Sequence, residues 1–561
     1  MRRTVLSALL VALLLGAWGV APAWAASPGD SKPVAVVSLF GYDEMAADVR
    51  FLGELTGEVD LLGRSEAILN FLTQGKGLAG LDKTRPSGAA VYADGDRPTG
   101  YVFLPITDLD ALHDLLKPFL AGVTDVGDRV YKVEGKGPGQ TIFVKEGEGG
   151  WLFASDKLEA LGDLPEDPRK LLAGLDQQYD VAVRLNVSNV PEAHRQKLIA
   201  RLEEDTQKQL QRRPGEGDEE YTVRKIVTEH LLRAILSGVH ELEQITLGWS
   251  LDRKAELACV ELSATAVEGT GAARELARLG QTKTKFGGLR LSDAVLTGNW
   301  AGTYYLGGTA DLATVFDAVR SKAFDEIDEK VDGKQRAAAA KDVVGGLMDV
   351  ARGTVESGKI DGVVSVVLNP EGATLLVGKY VADGDKMEET LGRLVEAVRD
   401  EHPGFVDRVL TPFADECEGV HLHFVSIPVP PQTPDRDKVV QLVGENLEIV
   451  VGIGRESFYL SMGKDAMKTL KEAIEKSAAD GDQATAPMEV TVSLERLAKF
   501  VANMGPDRER PKAEKAAEIL QQADGKDHVR LVASPIERGV KYRLELEKGV
   551  LKLIPAMQKM R

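Results

Sequence analysis

The chain is poor in cysteine and in positive charge, and beyond its first residues it has no long apolar run. Each shortage removes a class of protein. Two cysteines in 561 residues, Cys259 and Cys417, exclude a disulfide-stapled framework and leave no CxxC pair for zinc or thiol redox chemistry. They lie 158 positions apart, so either they pair across distant regions in an oxidising compartment or each packs as a small hydrophobe. Lys plus Arg number 69 against 87 Asp plus Glu, a net charge of −18. That is the wrong sign for a nucleic-acid binder, which needs a cationic face to displace phosphate counterions. After the N-terminus no stretch reaches the roughly 20 apolar residues of a membrane-spanning helix. What is present is a hydrophobic fraction of 43%, enough for large cores in a folded, globular chain.

The N-terminus has the three parts of a secretory signal peptide. Arg2 and Arg3 form a positive start, Val5 to Leu15 an apolar stretch, and Ala23-Trp24-Ala25 a small-x-small cleavage site. Cleavage before Ala26 removes residues 1–25, leaving 536 residues with 67 basic against 87 acidic side chains, a charge of −20. The expected location is therefore outside the cytoplasm: periplasm, cell envelope or extracellular space.

Four pairs of segments are written in the same way. Trp151-LFASDKLEAL and Phe458-YLSMGKDAMKTL each predict an aromatic strand turning through Ser155 or Gly463 into a helix. Tyr179-DVAVRLNVSNVPEAHRQKL and Met488-EVTVSLERLAKFVANM each predict an alternating strand, a cap at Asn189 or Ser493, and a helix. Tyr101-VFLPITDLDALHDLL, with a capping box at Thr107 and Asp110, parallels Leu375-LVGKYVADGDKMEETL. Ile245-TLGWSLDRKAELACVEL parallels Val529-RLVASPIERGVKYRLEL, two strands around Asp252-Arg253 or Glu537-Arg538. The first two pairs start 307 and 309 positions apart, and the last is closer because a helical hairpin at about 191–243 lengthens the first copy. These patterns predict an α+β fold of two similar halves, 33–285 and 286–561, from an internal duplication. Each half is expected to be a mainly antiparallel sheet with helices over one face. In the helix Tyr221 to Leu242, the stripe Val223, Ile226, Val227, Leu231, Ala234, Ile235, Val239 and Leu242 is expected to be core.

Strings that mimic functional motifs lack the context their chemistry needs. Gly75-KGLAG matches GxGxxG but follows a helix pattern, so its glycines read as a C-cap and loop. Gly353-TVESGK is followed by Ile360, where a Mg²⁺-binding Ser or Thr belongs, and runs from helix to strand. The Asp-Gly-Asp strings at Asp94, Asp383 and Asp480 lack the remaining calcium ligands and read as turns. His421 and His423 share one face of a strand and could hold a metal with Glu416 or Glu418, yet no third ligand stands at a recognisable spacing. His113, beside Asp110 and Asp114, reads as a solvated helix face. No catalytic, cofactor-binding or metal residue is therefore assigned.

The leader, Gly122-VTDVGDRVYKV, Gly150-WLFAS, the Pro165 and Pro168 linker and Val181-AVRLNVSNVPEAHR together resemble exported bacterial proteins of unknown function built from repeated α+β units. The resemblance implies an exported protein and no assigned activity. The leading expectation is a non-catalytic protein that binds a ligand or partner, or serves a structural role in the cell envelope. A carrier of an apolar or lipid ligand in a groove between the halves is the first alternative. An envelope hydrolase with an acid and base in that groove is the second.

Overall fold

The computed structural model describes residues 32–561 except 59–60, 94–97, 138–140, 304–308, 371, 403 and 560–561. The signal peptide with Ala23, Ala25 and Ala26, and the Asp94 string, lie outside the described residues.

Alternating apolar and polar residues form strands, and every strand pairing is antiparallel. Ten strands precede residue 270: β1 (Ala35–Leu39), β2 (Ser87–Tyr92), β3 (Thr99–Pro105), β4 (Leu120–Gly127), β5 (Val130–Gly135), β6 (Thr141–Gly147), β7 (Trp151–Ser155), β8 (Val181–Asn186), β9 (Leu242–Asp252) and β10 (Leu257–Ala266). They pair in the order β4-β5-β6-β7-β3-β2-β1-β8-β9-β10. Ten longer ones follow: β11 (Leu296–Thr303), β12 (Lys359–Asn369), β13 (Gly372–Tyr380), β14 (Leu410–Cys417), β15 (Val420–Pro428), β16 (Asn446–Gly454), β17 (Ser457–Gly463), β18 (Met488–Ser493), β19 (His528–Ile536) and β20 (Gly539–Glu547), while the two-residue strands Lys283–Thr284 and Gln483–Ala484 pair apart from them. Their order is β14-β15-β16-β17-β13-β12-β11-β18-β19-β20. Adding ten to each label of the first order gives the second. Strand β10 then pairs with β20 over Leu257–Thr265 and Gly539–Glu547, so all twenty strands make one sheet.

The helices lie in the crossovers. Those of eight residues or more before β11 are α1 (Tyr42–Thr56), α2 (Leu61–Leu72), α3 (Leu109–Leu116), α4 (Glu192–Gln209), α5 (Asp218–Glu241) and α6 (Gly271–Arg278). After it come α7 (Thr309–Lys330), α8 (Lys334–Glu356), α9 (Gly384–Glu401), α10 (Arg436–Val443), α11 (Ala466–Asp480), α12 (Leu494–Met504), α13 (Arg510–Gln521) and α14 (Lys548–Lys559). Several local expectations are corrected. Asp108, not Thr107, caps α3 by accepting the Ala111 N–H at 3.0 Å. Ser493 caps α12 as expected, whereas Asn189 donates to the Pro33 carbonyl and α4 starts after Pro191. Between β7 and β8 there is no long helix, only single helical turns at Leu158–Leu161, Arg169–Leu172 and Leu175–Gln178. Pro165 and Pro168 interrupt that stretch, and the proline-free α11 runs for 15 residues in the matching place.

Helices cover both faces of the sheet, not one. On the first, packed face, Tyr101, Phe103, Trp151 and Phe153 meet edge-on and are closed over by Leu161, Leu172 and Leu175. In the later strands Leu376, Leu422, Val450 and Tyr459 are closed over by Phe286, Leu289 and the buried side of α11. The second face is covered only in places: by α3 at Leu152, and by α1 and α14 at Leu251, Ala258 and Leu546. The expectation that the Tyr221 to Leu242 stripe is core fails. No residue of α5 is buried, and Val227, Leu231 and Ile235 are 57%, 61% and 41% exposed. Instead of entering a core, α5 packs alongside α4 and α7, with Lys322 of α7 2.5 Å from Glu220 of α5.

The join between β10 and β20 carries a polar ladder on the packed face. Glu261 accepts from the Tyr179 hydroxyl at 2.7 Å and from Arg543 at 2.9 Å. Arg543 and Arg530 both reach Glu545, and Arg530 also reaches Glu489. Burial pushes the Glu261 carboxyl up, but Tyr179, Lys541 and Arg543 outweigh it and hold it below its ordinary range. Gly248 makes room for this arrangement, since a Cβ there would stand 2.3 Å from the Tyr179 ring.

Candidate ligand-binding face

Cross-strand partners in an antiparallel sheet point to the same side, so the registers define what lines the second face. One row runs Val183, Leu247, Leu262, Tyr542, Ala533, Met488, Trp300, in the strand order β8-β9-β10-β20-β19-β18-β11. Six spacings of about 4.8 Å make this row roughly 29 Å long. Large members of it are left open: Leu247 is 50% exposed, Leu262 45%, Tyr542 41% and Trp300 37%. The neighbouring row, Val181, Trp249, Val260, Leu544, Leu531 and Val490, is also apolar along its length. Helices α1, α3 and α14 are fixed to this face elsewhere, and α9 reaches it through Glu388. Between them lies an apolar strip, shared by strands before and after residue 270, that is open at Leu247, Leu262, Tyr542 and Trp300 and closed at Ala533, which is 2% exposed. Large open apolar side chains grouped in this way are a feature shared by ligand- and partner-binding faces.

The sequence-selected residues fall elsewhere. His421 and His423 do share a face of β15, the same face as the apolar row, but the acid between them is Glu388 of α9 rather than Glu416 or Glu418. Glu388 is 3.0 Å from His421 Nδ1 and 3.1 Å from His423 Nε2, and the Phe413 ring meets His421 edge-on and His423 at a tilt. Among the described residues the one trio of donor atoms within 4.8 Å of one another is Asp527, His528 and Glu547. Its carboxylates already have work: Asp527 accepts from Ser493 and the Glu495 N–H at the start of α12, and Glu547 accepts from the His528 N–H. That trio is a structural knot at the turn into β19.

Comparison with known proteins finds no family model, no curated protein and no solved structure that matches the chain.

The remaining motifs have local duties. Gly75 closes the end of α2 with a left-handed φ of 84° and a bond to the Asn70 carbonyl. Gly353 lies inside α8 and Gly358 ends it before β12. Asp383 caps α9 through the Lys386 N–H, and Asp480 ends α11. Asn186 is buried and donates to the Pro33 carbonyl. His113, Asp110 and Asp114 are exposed on α3. Cys259 sits in β10 and Cys417 in the outermost strand β14, ten strand positions away, and both are free and buried. Burial raises both thiols above their ordinary range, so neither is poised as a nucleophile. A cleft of about 560 Å³ on the packed face is lined by Asp415, Phe424, Glu448, Lys471 and Glu475 among others. Lys471, 2.6 Å from Asp415, holds that carboxyl below its usual range, the opposite of what a general acid needs.

Proposed function

We propose that the mature chain is an exported, non-catalytic carrier of an apolar ligand, laid along the strip from Val183 to Trp300. The observation that carries this reading is the exposure of Leu247, Leu262, Tyr542 and Trp300 in one cross-strand row. Water against such a row costs about 25 cal/mol per Å² of apolar area, which a hydrocarbon chain recovers on binding. The row of roughly 29 Å is about twice the 15 Å that one acyl chain spans in a bilayer leaflet. The seat is a strip running over both halves rather than a groove between them. The two halves, 33–285 and 286–561, are proposed to descend from one duplicated α+β unit. Support comes from the strand orders, which differ only by ten in every label, and from the four matched sequence pairs, which occupy β3 and β13, β7 and β17, β8 and β18, and β9-β10 and β19-β20.

The test is native mass spectrometry of the protein isolated mildly from the host that exports it. The expected result is a mature chain beginning at Ala26 with lipid-sized mass attached. A clean unliganded mass would count against the carrier, and an intact leader against export.

A further inference from the structure

Beyond Trp300 the row does not simply stop. Trp300 is paired with Gly362 of β12, and Gly362 with Lys379 of β13, so Lys379 is the next side chain on the same face. The missing side chain at Gly362 matters: a Cβ there would come within 2.7 Å of Trp300 Nε1, so the indole edge lies over this glycine and points along the row towards Lys379. Lys379 is exposed. Among the described residues neither Lys379 Nζ nor Trp300 Nε1 has a hydrogen-bond or ion-pair partner. The position ten labels earlier, in β3, is Val102, which is 9% exposed and carries no charge. The strip therefore has one cationic end and one plain end.

Resting on the carrier reading, we propose that the ligand is a long-chain carboxylate, a fatty acid. Its head is held by Lys379 and Trp300, and its chain runs over Met488 and Ala533 to Tyr542, four strand spacings or about 19 Å from Gly362. A carboxylate has two acceptor oxygens and one charge, which suits one ammonium and one indole N–H. Past Trp300 the row continues through Met488 and Ala533 to the Tyr542 ring and suits the chain.

Palmitate and hexadecanol, which share a chain and differ in the head, separate this claim from the carrier reading. In displacement of a fluorescent fatty acid from the mature protein, palmitate should bind at least about tenfold more tightly. Lys379→Met should abolish that preference and leave hexadecanol unchanged, and Lys379→Arg should retain it. Equal binding of the two by the unaltered protein overturns the anionic head and leaves the carrier standing, while binding of neither removes both. Orientation has its own readout. Trp249 lies five strand spacings from Trp300, about 24 Å, and Trp151 is buried on the other face. Palmitate brominated beside the carboxylate should quench Trp300, and palmitate brominated at the chain end should spare it. Trp300→Phe identifies the signal. The reverse pattern overturns the proposal.

Discussion

Replacing Leu247 and Leu262 together by alanine separates binding from folding, because both side chains are half-exposed in the free protein. Full burial of a leucine is worth about 1.5–3 kcal/mol. With 50% and 45% of each still open, roughly half of that, about 1 kcal/mol each, is left for a ligand to gain. Losing both should weaken a ligand long enough to cover them from Trp300, an acid of about 24 carbons, by about 2 kcal/mol, some 30-fold in Kd. The cost to folding should be of similar size, because the half already packed is lost without opening an enclosed cavity. Displacement titration measures the first quantity and urea unfolding of the unliganded protein the second. The informative control is Leu422→Ala on the packed face, fully buried at 0%. It should cost about 2–5 kcal/mol of stability with unchanged affinity under conditions where it stays folded. If the Leu247/Leu262 variant binds as tightly as the parent, the strip is not the seat of the ligand.

Other outcomes follow from single sites. Burial, with the charge of Asp180, raises Asp48 to about 6 despite Arg253 3.5 Å away. Its contribution is complete below about pH 4 and lost as pH rises through about 6, so Asp48→Asn should stabilise the protein at pH 8 by about 1–2 kcal/mol and flatten the profile between pH 4 and 7. Glu261 has the opposite sign: its contribution is present above the ordinary carboxylate range and lost as pH falls through its depressed value. Glu261→Gln should therefore destabilise at pH 7 and converge with the parent in acid urea melts. Gly248→Ala should push the Tyr179 ring off β9 and cost about 1–3 kcal/mol, seen as a lowered Tm. Cys259 and Cys417 should both be alkylated after denaturation without reductant; a 158-residue disulfide-linked peptide pair on mapping would contradict their separation in the sheet.

Local structure was legible wherever the signal was local. The strands β7, β8, β17 and β18, the cap at Ser493 and the turn at Gly75 all follow from residues within a few positions of one another, whereas Asp383, expected in a turn, caps α9. The register of β10 on β20 was not, because it joins residues some 280 positions apart and leaves no periodic mark on either strand. The open strip was hidden for a related reason. Leu247 and Leu262 alternate just as core residues do, and only the absence of a helix above them makes them different. The α5 stripe misled in the same way: its spacing is helical, but packing beside α4 and α7 leaves Val227 and Leu231 in solvent. Glu388 was missed as the partner of His421 and His423 because it arrives from a helix 33 residues upstream.

Strand pairing across the join also settles how many edges the protein offers to other chains. A sheet of this width ends only at β4 and β14. Each has a register irregularity against its neighbour, at Asp125 and Gly127 or between Thr411 and Asp415, and carboxylates that discourage a further strand, Asp125 in β4 and Asp415 and Glu416 in β14. The inner edges are matched to each other: β10 and β20 pair in unbroken register, with Glu261 of one beside Lys541 and Arg543 of the other. A fragment ending near residue 285 would present β10 with nine unpaired positions and an apolar side, and a fragment starting near 286 would present β20 likewise. Either piece alone is a template for self-association, and mixing the two should restore the heterologous pair. Continuity of the chain thus acts as a chaperone: each half is synthesised with the cover for its own sticky edge attached.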